Sequence, residues 1–284
     1  MRKKYKTVKY EDIVKKVRDA CIYACHNLKP DVIEALKKAR ETEESEVGKK
    51  VLDQILENIE VAKKEDIPLC QDTGFAVFFV EMGTDVRIKG GNIKDAIIEG
   101  VRKGYVEGYL RKSIVEDPLR RKNTGDNTPP VIHFDIVPGD TLRIIFEPKG
   151  GGSENMSALK ILLPGEGKEG VKKFVIETVK KAGSNPCPPI VVGVGIGGTF
   201  EYCAFLAKKA TVREIGKRNP DPFYAQFEEE LLEEINKLGI GPQGFGGKWT
   251  ALDVHIEVYP CHITALPVAV NIQCHADRRE EIIF

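Results

Sequence analysis

The 284-residue chain reads as a mixed α/β protein with largely antiparallel β-sheets surrounded by helices. Three observations carry that expectation. The N-terminal part holds three stretches with apolar residues at spacings of three and four, the signature of amphipathic helices. Short β-branched and aromatic runs, bounded by Pro and Gly, recur further on. Two of these runs, Val131 to Val137 and Thr141 to Phe146, are joined by Pro138-Gly139-Asp140 and read as a β-hairpin. A hydrophobic content of 42% is enough for a sizeable core, either one domain over residues 1–284 or two lobes of it.

In order, Tyr10 to Asn27, Asp31 to Thr42 and Glu46 to Lys64 are expected as helices, with Pro30 and a charged stretch as breaks. Gly74 to Met82 reads as a buried strand, and Ile93 to Leu110 returns to helical spacing. Arg111 to Pro130 has no core periodicity and is long for a connection, which marks it as functional or mobile. After the expected hairpin come Lys149-Gly150-Gly151-Gly152-Ser153-Glu154-Asn155, helices near Ala158 and from Lys168 to Ala182, and a strand from Ile190. Helices Phe200 to Ala210 and Phe223 to Leu238 precede a closing strand pair, Asp253 to Tyr259 and Ala265 to Ile272. No internal repeat is evident.

Lys plus Arg and Asp plus Glu both total 43, so overall charge points to neither nucleic acid nor an anionic membrane as partner. The basic start Met1-Arg2-Lys3-Lys4-Tyr5-Lys6 runs straight into a charged helical pattern without the apolar region of a signal peptide. The longest apolar run, Pro188 to Gly198, falls short of the roughly twenty residues a membrane helix needs. A cytoplasmic protein is expected. Its seven Cys, odd in number and widely spread, do not form the framework of a small secreted domain, which leaves metal or cluster ligation by reduced thiols open.

Pro68-Leu69-Cys70-Gln71-Asp72-Thr73-Gly74 puts four polar side chains in succession just before an apolar run. On a helix or strand they would face different ways; on a turn they can converge on one ligand. An ordinary Asp-Thr-Gly turn opening a strand is the plainer alternative. Gly193, Gly195 and Gly198 satisfy G-x-G-x-x-G between a strand and a helix, but the polar, Pro-containing stretch after the helix lacks the second strand a dinucleotide site needs. What remains there is a glycine turn offering amides to an anion. Cys21 and Cys25 fit an apolar helical stripe, and Cys203 lies inside a helix, so all three read as core. Cys70, Cys187 and Cys274 each sit at a loop–strand junction and are the candidate ligands, although their spacing is unlike the paired C-x-x-C of compact metal sites.

Taken together, the Cys70 stretch, Lys149-Gly150-Gly151-Gly152-Ser153, Cys187-Pro188-Pro189, Gly195-Ile196-Gly197-Gly198-Thr199 and the Cys274 tail resemble, in the same order, the iron–sulfur-dependent hydro-lyases: class I fumarase and L-tartrate dehydratase. The resemblance covers essentially the whole chain. It implies a [4Fe-4S] cluster on Cys70, Cys187 and Cys274, with one iron lacking a protein ligand. It also implies that Gln71 and Asp72 contact the substrate, that Asp72 belongs to the acid/base machinery, that Arg111 clamps a carboxylate, and that Gly151 and Gly152 line the cluster or substrate. The resemblance further implies that His262 corresponds to an active-site histidine of the family, with a satisfied structural histidine as the plainer alternative. An iron with an open position can polarise a substrate hydroxyl, as the open position of a catalytic zinc does.

The resemblance departs at the C-terminus, where single-chain class I fumarases continue into a second domain. An α subunit is therefore expected, active with a β subunit in an α2β2 assembly, and dehydrating a 2-hydroxy dicarboxylic acid: malate to fumarate, or alternatively L-tartrate. Two other classes stand beside it, a zinc-dependent hydrolase using Cys70, His262 and Cys274, and a non-catalytic assembly subunit.

Overall fold

A computed structural model describes residues 5–284, and the basic residues 1–4 lie outside it. In chain order the elements are β1 (Lys6–Lys9), α1 (Tyr10–His26), α2 (Pro30–Thr42), α3 (Glu46–Glu65), β2 (Phe75–Gly83), β3 (Val86–Lys89), α4 (Ile93–Glu107), β4 (Val131–Val137), β5 (Leu142–Lys149), α5 (Gly151–Glu154), β6 (Ala158–Leu162), α6 (Gly167–Ala182), β7 (Ile190–Gly198), α7 (Phe200–Ala210), α8 (Pro222–Asn236), β8 (Ala251–Cys261), β9 (Leu266–Gln273) and β10 (Glu280–Ile283). They form two units. The first comprises the described residues up to Leu28, Val61–Gly150 and Arg278–Phe284; the second comprises Lys29–Glu60 and Gly151–Asp277.

The first unit is built on a four-stranded sheet in the order β10-β5-β2-β4. β2 is parallel to β4 and antiparallel to β5, and β10 is antiparallel to β5. β2 takes a central place because its run Ala76 to Val80 is buried throughout, as a strand covered on both faces requires. Phe78 meets Phe146 of β5 with ring centroids 5.0 Å apart. The stripe Ile13, Val17, Ala20, Cys21 and Ala24 of α1 joins Ala96, Ile97, Val101 and Tyr105 of α4 in the same core. Asn92 caps α4, its side chain accepting the Asp95 N–H at 2.9 Å.

The second unit carries a four-stranded sheet in the order β6-β9-β7-β8. β7 is parallel to β8 and antiparallel to β9, and β6 is antiparallel to β9. Its core gathers Val171, Val175 and Val179 of α6, Phe227, Leu231 and Ile235 of α8, and the apolar residues of β7, β8 and β9. Each four-stranded sheet thus holds two antiparallel pairings and one parallel pairing, in keeping with the expected fold class.

The strands fall where their composition predicts, but the pairing of neighbours does not. β4 and β5 are not a hairpin, because β2 lies between them. The connecting turn spends its carbonyls elsewhere: Asp85 N–H donates to Gly139 and Gly83 N–H to Thr141, at 2.8 and 2.9 Å. β8 and β9 are likewise separated, by β7. In both cases the more apolar strand claims the centre. Ala158 opens a strand rather than a helix, since the edge of β9 supplies its partners. The G-x-G-x-x-G is no anion turn either, for Gly193 and Gly195 lie inside β7. A Cβ on Gly193 would come within 2.1 Å of the Ala207 carbonyl, and one on Gly195 within 2.1 Å of the Cys203 carbonyl, so these glycines let α7 lie flat on the sheet.

Candidate active site

In the first unit the Cys70 loop leads from α3 into β2. Leu69 is buried and donates its N–H to the Cys25 carbonyl at 2.9 Å. Cys70 and Asp72 are then half-buried and Gln71 exposed, before Thr73 and Gly74 are buried again. Asp72 N–H points to Cys70 Sγ at 3.4 Å, and Gly74 N–H donates to Asp72 Oδ1 at 3.0 Å. Gly74 has φ +79°, and a Cβ there would lie 2.8 Å from the backbone of Lys149, so the turn requires glycine.

The carbonyls of this loop are held from beneath. The Tyr105 hydroxyl lies 2.8 Å from the Thr73 carbonyl and 3.2 Å from that of Gly74, which also accepts from Asn127 Nδ2 at 3.2 Å. Cys25 Sγ approaches the Thr73 carbonyl at 3.7 Å, and Arg278 Nη2 donates to the Asp72 carbonyl at 2.9 Å. Such a floor fixes the backbone while three polar side chains remain at the surface, as a preorganised site requires. Tyr105→Phe removes the shared donor from two buried carbonyls, and urea denaturation should register a loss of about 1–3 kcal/mol.

Arg111 belongs to the same unit and the same loop system. Its carbonyl accepts the Thr73 hydroxyl at 3.3 Å, Leu110 before it is buried, and Arg111 itself is exposed. The polar segment 111–130 is ordered by its own side chains. Asp117 Oδ1 accepts the N–H groups of Leu119 and Arg120, Asn123 Nδ2 donates to the Lys112 carbonyl, and Asn127 Oδ1 accepts Ser113 N–H at 2.7 Å.

In the second unit Cys187 is exposed at φ +56°, on the loop between α6 and β7. Its carbonyl accepts the His275 N–H at 3.3 Å and lies 3.0 Å from His275 Nδ1. Gln243 Nε2 reaches both the Pro188 carbonyl, at 2.9 Å, and His275 Nδ1, at 3.1 Å. The His275 tautomer selects between these bonds, since Nδ1 can donate to Cys187 or accept from Gln243. The segments bearing Cys187 and Cys274 are thereby stitched together. Gln273, fully buried, accepts the Cys274 N–H at 3.2 Å and faces Ser153 Oγ at 3.4 Å, tying the glycine turn at Gly151 and Gly152 to the same corner.

His262 does not join that corner. β9 begins at Leu266, just after His262, and ends at Gln273, just before Cys274; eight strand residues at about 3.3 Å each separate them by roughly 25 Å. His262 lies instead by a cavity of about 320 Å³ lined by Lys168, Phe223, Tyr224, Phe227 and Cys261. The same distance removes a single zinc shared by His262 and Cys274. Among the described residues, no group of three or more His, Cys, Asp and Glu is placed to hold one metal ion.

Of the remaining cysteines Cys261 is exposed beside that cavity, and the other three are core, as their periodicity predicts. Cys21, Cys25 and Cys203 are fully buried. Burial pushes the Cys21 thiol well up and those of Cys25 and Cys203 up to about 11, which keeps them protonated and poor as ligands at neutral pH. Tyr105, Asn127, Arg278, Gln243 and Gln273 carry no pattern that singles them out in the sequence. Cys25 has one, its place on an apolar stripe, and that pattern hides its position beneath the Thr73 carbonyl.

The sequence model of the family described as fumarate hydratase (fumerase) matches residues 14–283. The chain belongs to the fumarate hydratase family. It is 48% identical over 279 residues, 96% of each chain, to a Methanocaldococcus jannaschii protein named "Putative L(+)-tartrate dehydratase subunit alpha". It is 40% identical over 253 residues to the L(+)-tartrate dehydratase subunit alpha of Escherichia coli UTI89, covering 88% of this chain and 83% of that one. The corresponding protein of Escherichia coli K12 is 38% identical over 257 residues, covering 89% and 84%. The fumarate hydratase family member is thus a hydro-lyase of the alpha-subunit type, and no helix among its described residues is long and apolar enough to cross a membrane.

Proposed function

We propose that the chain is the α subunit of a cytoplasmic iron–sulfur hydro-lyase that dehydrates malate to fumarate, with Cys70, Cys187 and Cys274 as ligands of a [4Fe-4S] cluster. The observation that carries this reading is the contrast between the two cysteine sets. The three junction thiols are exposed or half-buried on loops held by side-chain hydrogen bonds, the core thiols Cys21, Cys25 and Cys203 are sealed and protonated, and exposed Cys261 lies with His262 a strand's length from Cys274. Three soft thiolates suit an iron–sulfur cluster, and the Asp72 N–H directed at Cys70 Sγ is the kind of contact that tunes such a centre. A cluster spans more than one ion, so its thiolates stand farther apart than the ligands of a single metal.

When bound, the cluster supplies a Lewis-acidic iron for the substrate hydroxyl. The rest falls to the protein. Asp72 sits next to a ligand with Oδ1 held by the Gly74 N–H, where it can hold or move a proton. Arg111 offers a planar fork suited to a carboxylate, Gln71 hydrogen bonds to substrate oxygens, and the Gly151–Gly152 turn close backbone approach. Asp72→Asn keeps the acceptor for Gly74 but removes the titratable group. Its kcat should fall about 10²–10⁴-fold with cluster iron unchanged, whereas unchanged activity would reduce the chain to an assembly subunit.

The names of the relatives favour L-tartrate as a second substrate. A β chain completes the site, and the assembly is α2β2. Anaerobic assay of the cluster-loaded chain, alone and with its β chain, against malate and L-tartrate tests the reading. Activity should appear only on mixing; malate dehydration by this chain alone would overturn it.

A further inference from the structure

The outermost strand of a sheet leaves every second N–H and C=O unpaired, an edge that proteins cap or cover. Among the described residues the two four-stranded sheets have four such strands, β10 and β4 in the first and β6 and β8 in the second. Side chains cap β8. Arg213 Nη2 and Asn219 Nδ2 donate to the Ile256 carbonyl and Arg218 Nη1 to that of Val254, while Glu228 Oε1 accepts the Ile256 N–H. β10 has four residues, and Lys16 Nζ takes the Ile283 carbonyl at 2.9 Å. β6 has five and carries Lys160.

β4 is different. Its seven residues are apolar except for His133 and Asp135. Phe134 is 44% exposed and Ile136 63%, although both lie on the face whose Ile132 packs against the core. The Thr84 N–H donates to the Val137 carbonyl, so the backbone groups of Val131, His133, Asp135 and Val137 point to β2 and those of Ile132, Phe134 and Ile136 point away from the sheet. Among the described residues no strand pairs with these outward groups, and no turn or loop bond reaches them.

The sequence of β4 also matches its own reverse. Set antiparallel about Phe134, Val131 faces Val137, Ile132 faces Ile136, His133 faces Asp135 and Phe134 faces its own copy. The outward residues then stand opposite one another, as the hydrogen-bonded pairs of an antiparallel ladder must. A one-residue slip destroys both the match and the bonding.

We propose that β4 is the contact between two copies of this chain, paired antiparallel across a two-fold axis at Phe134, so that the four-stranded sheets of both copies join edge to edge. Each copy donates the N–H groups of Ile132, Phe134 and Ile136 and accepts as many in return. Phe134 and Ile136 cover apolar surface on each other, and His133 meets a carboxylate. Pro130 and Pro138, which have no N–H, end the ladder on either side. An unrelated partner strand would need no such self-matching sequence, which favours a second copy over the β chain. The contact supplies the α–α interface of the α2β2 assembly proposed above, resting on that stoichiometry and not on the cluster.

Analytical ultracentrifugation of the full α chain, alone and with its β chain, tests the pairing. Two α chains per particle are expected in both samples. Phe134→Lys sets two ammonium groups against each other at the axis and should halve the α count with the circular dichroism spectrum unchanged; Ile136→Lys serves if that variant does not fold. Under mild oxidation Phe134→Cys should cross-link to its counterpart in the other copy, identified by mass spectrometry of the joined peptide. Ile132→Cys should not, because its counterpart lies about 13 Å along the strand. This arm decides the question even if neither lysine variant folds. One α chain per particle in both samples, a folded Phe134→Lys that stays paired, or a Phe134→Cys that does not join its counterpart would overturn the proposal. It fails equally if the amides of Ile132, Phe134 and Ile136 gain exchange protection only when the β chain is added to a single α chain, since the edge would then belong to the β chain. None of these measurements reads iron or activity, so their failure leaves the hydro-lyase reading standing.

Discussion

Cys187→Ser should abolish the iron–sulfur cluster and reduce activity to background, whereas Cys203→Ser should leave both intact. The two residues differ in surroundings rather than in chemistry. Cys187 is exposed on a backbone turned to φ +56°, with its carbonyl engaged by His275. Cys203 is buried, its thiol directed at the Phe200 carbonyl at 3.3 Å and pushed up to about 11 by burial. Serine cannot replace a soft thiolate on iron, but it can take the place of a thiol that only fills space and donates a hydrogen bond. Cys70→Ser and Cys274→Ser should behave as Cys187→Ser does. Iron and sulfide per chain, with the visible absorbance of the cluster, decide the matter, and unchanged iron in Cys187→Ser would remove it from the ligand set.

What could be read before folding was whatever depends on near neighbours. Residues three and four apart sit together on a helix whatever surrounds it, so α1, α2 and α3 follow from the spacing of Ile13, Val17, Cys21 and their like. Strand pairing is a competition across the whole chain. Pro138-Gly139-Asp140 promises a hairpin locally, yet β2 outbids β4 for the flank of β5 because Ala76 to Val80 has more apolar surface to bury. The short strands β1, β3, β6 and β10 have too few residues to show alternation, and each exists only because a partner edge is waiting. The candidate site divides in the same way. Cys70, Gln71 and Asp72 stand out as a local motif. Tyr105 and Arg278, which hold that loop, arrive from far along the chain and look like ordinary helix and tail residues. His262, twelve residues before Cys274 in sequence, is set apart from it along the full length of β9.

Glu228→Gln should be the most destabilising single change outside the apolar cores. Glu228 has no exposed side-chain surface and takes Arg213 Nη1 at 2.5 Å, Arg218 Nη1 at 3.5 Å, and the N–H groups of Asn219 and Ile256 at 2.9 and 2.7 Å. Losing its charge leaves two guanidinium groups under-compensated, where breaking a buried pair costs about 3–5 kcal/mol. The lower end applies, because Arg213 keeps Glu257 and Arg218 keeps Asp253 as partners. Asp53→Asn, which breaks the exposed pair with Arg40, should leave the unfolding midpoint where it is.

The Asp253 end of this network sets a pH dependence. Burial pushes the Asp253 carboxyl up, but the His255 hydrogen bond and charge, the Gly216 N–H and Arg218 outweigh it and hold the carboxyl at about 2. A folded-state value below the unfolded one, about 3.9, means that the contribution is whole above pH ~4 and is lost as pH falls toward 2. Denaturation midpoints followed down through that window should drop more steeply for the unmodified chain than for Asp253→Asn. Equal slopes would mean that the carboxylate contributes nothing the amide does not.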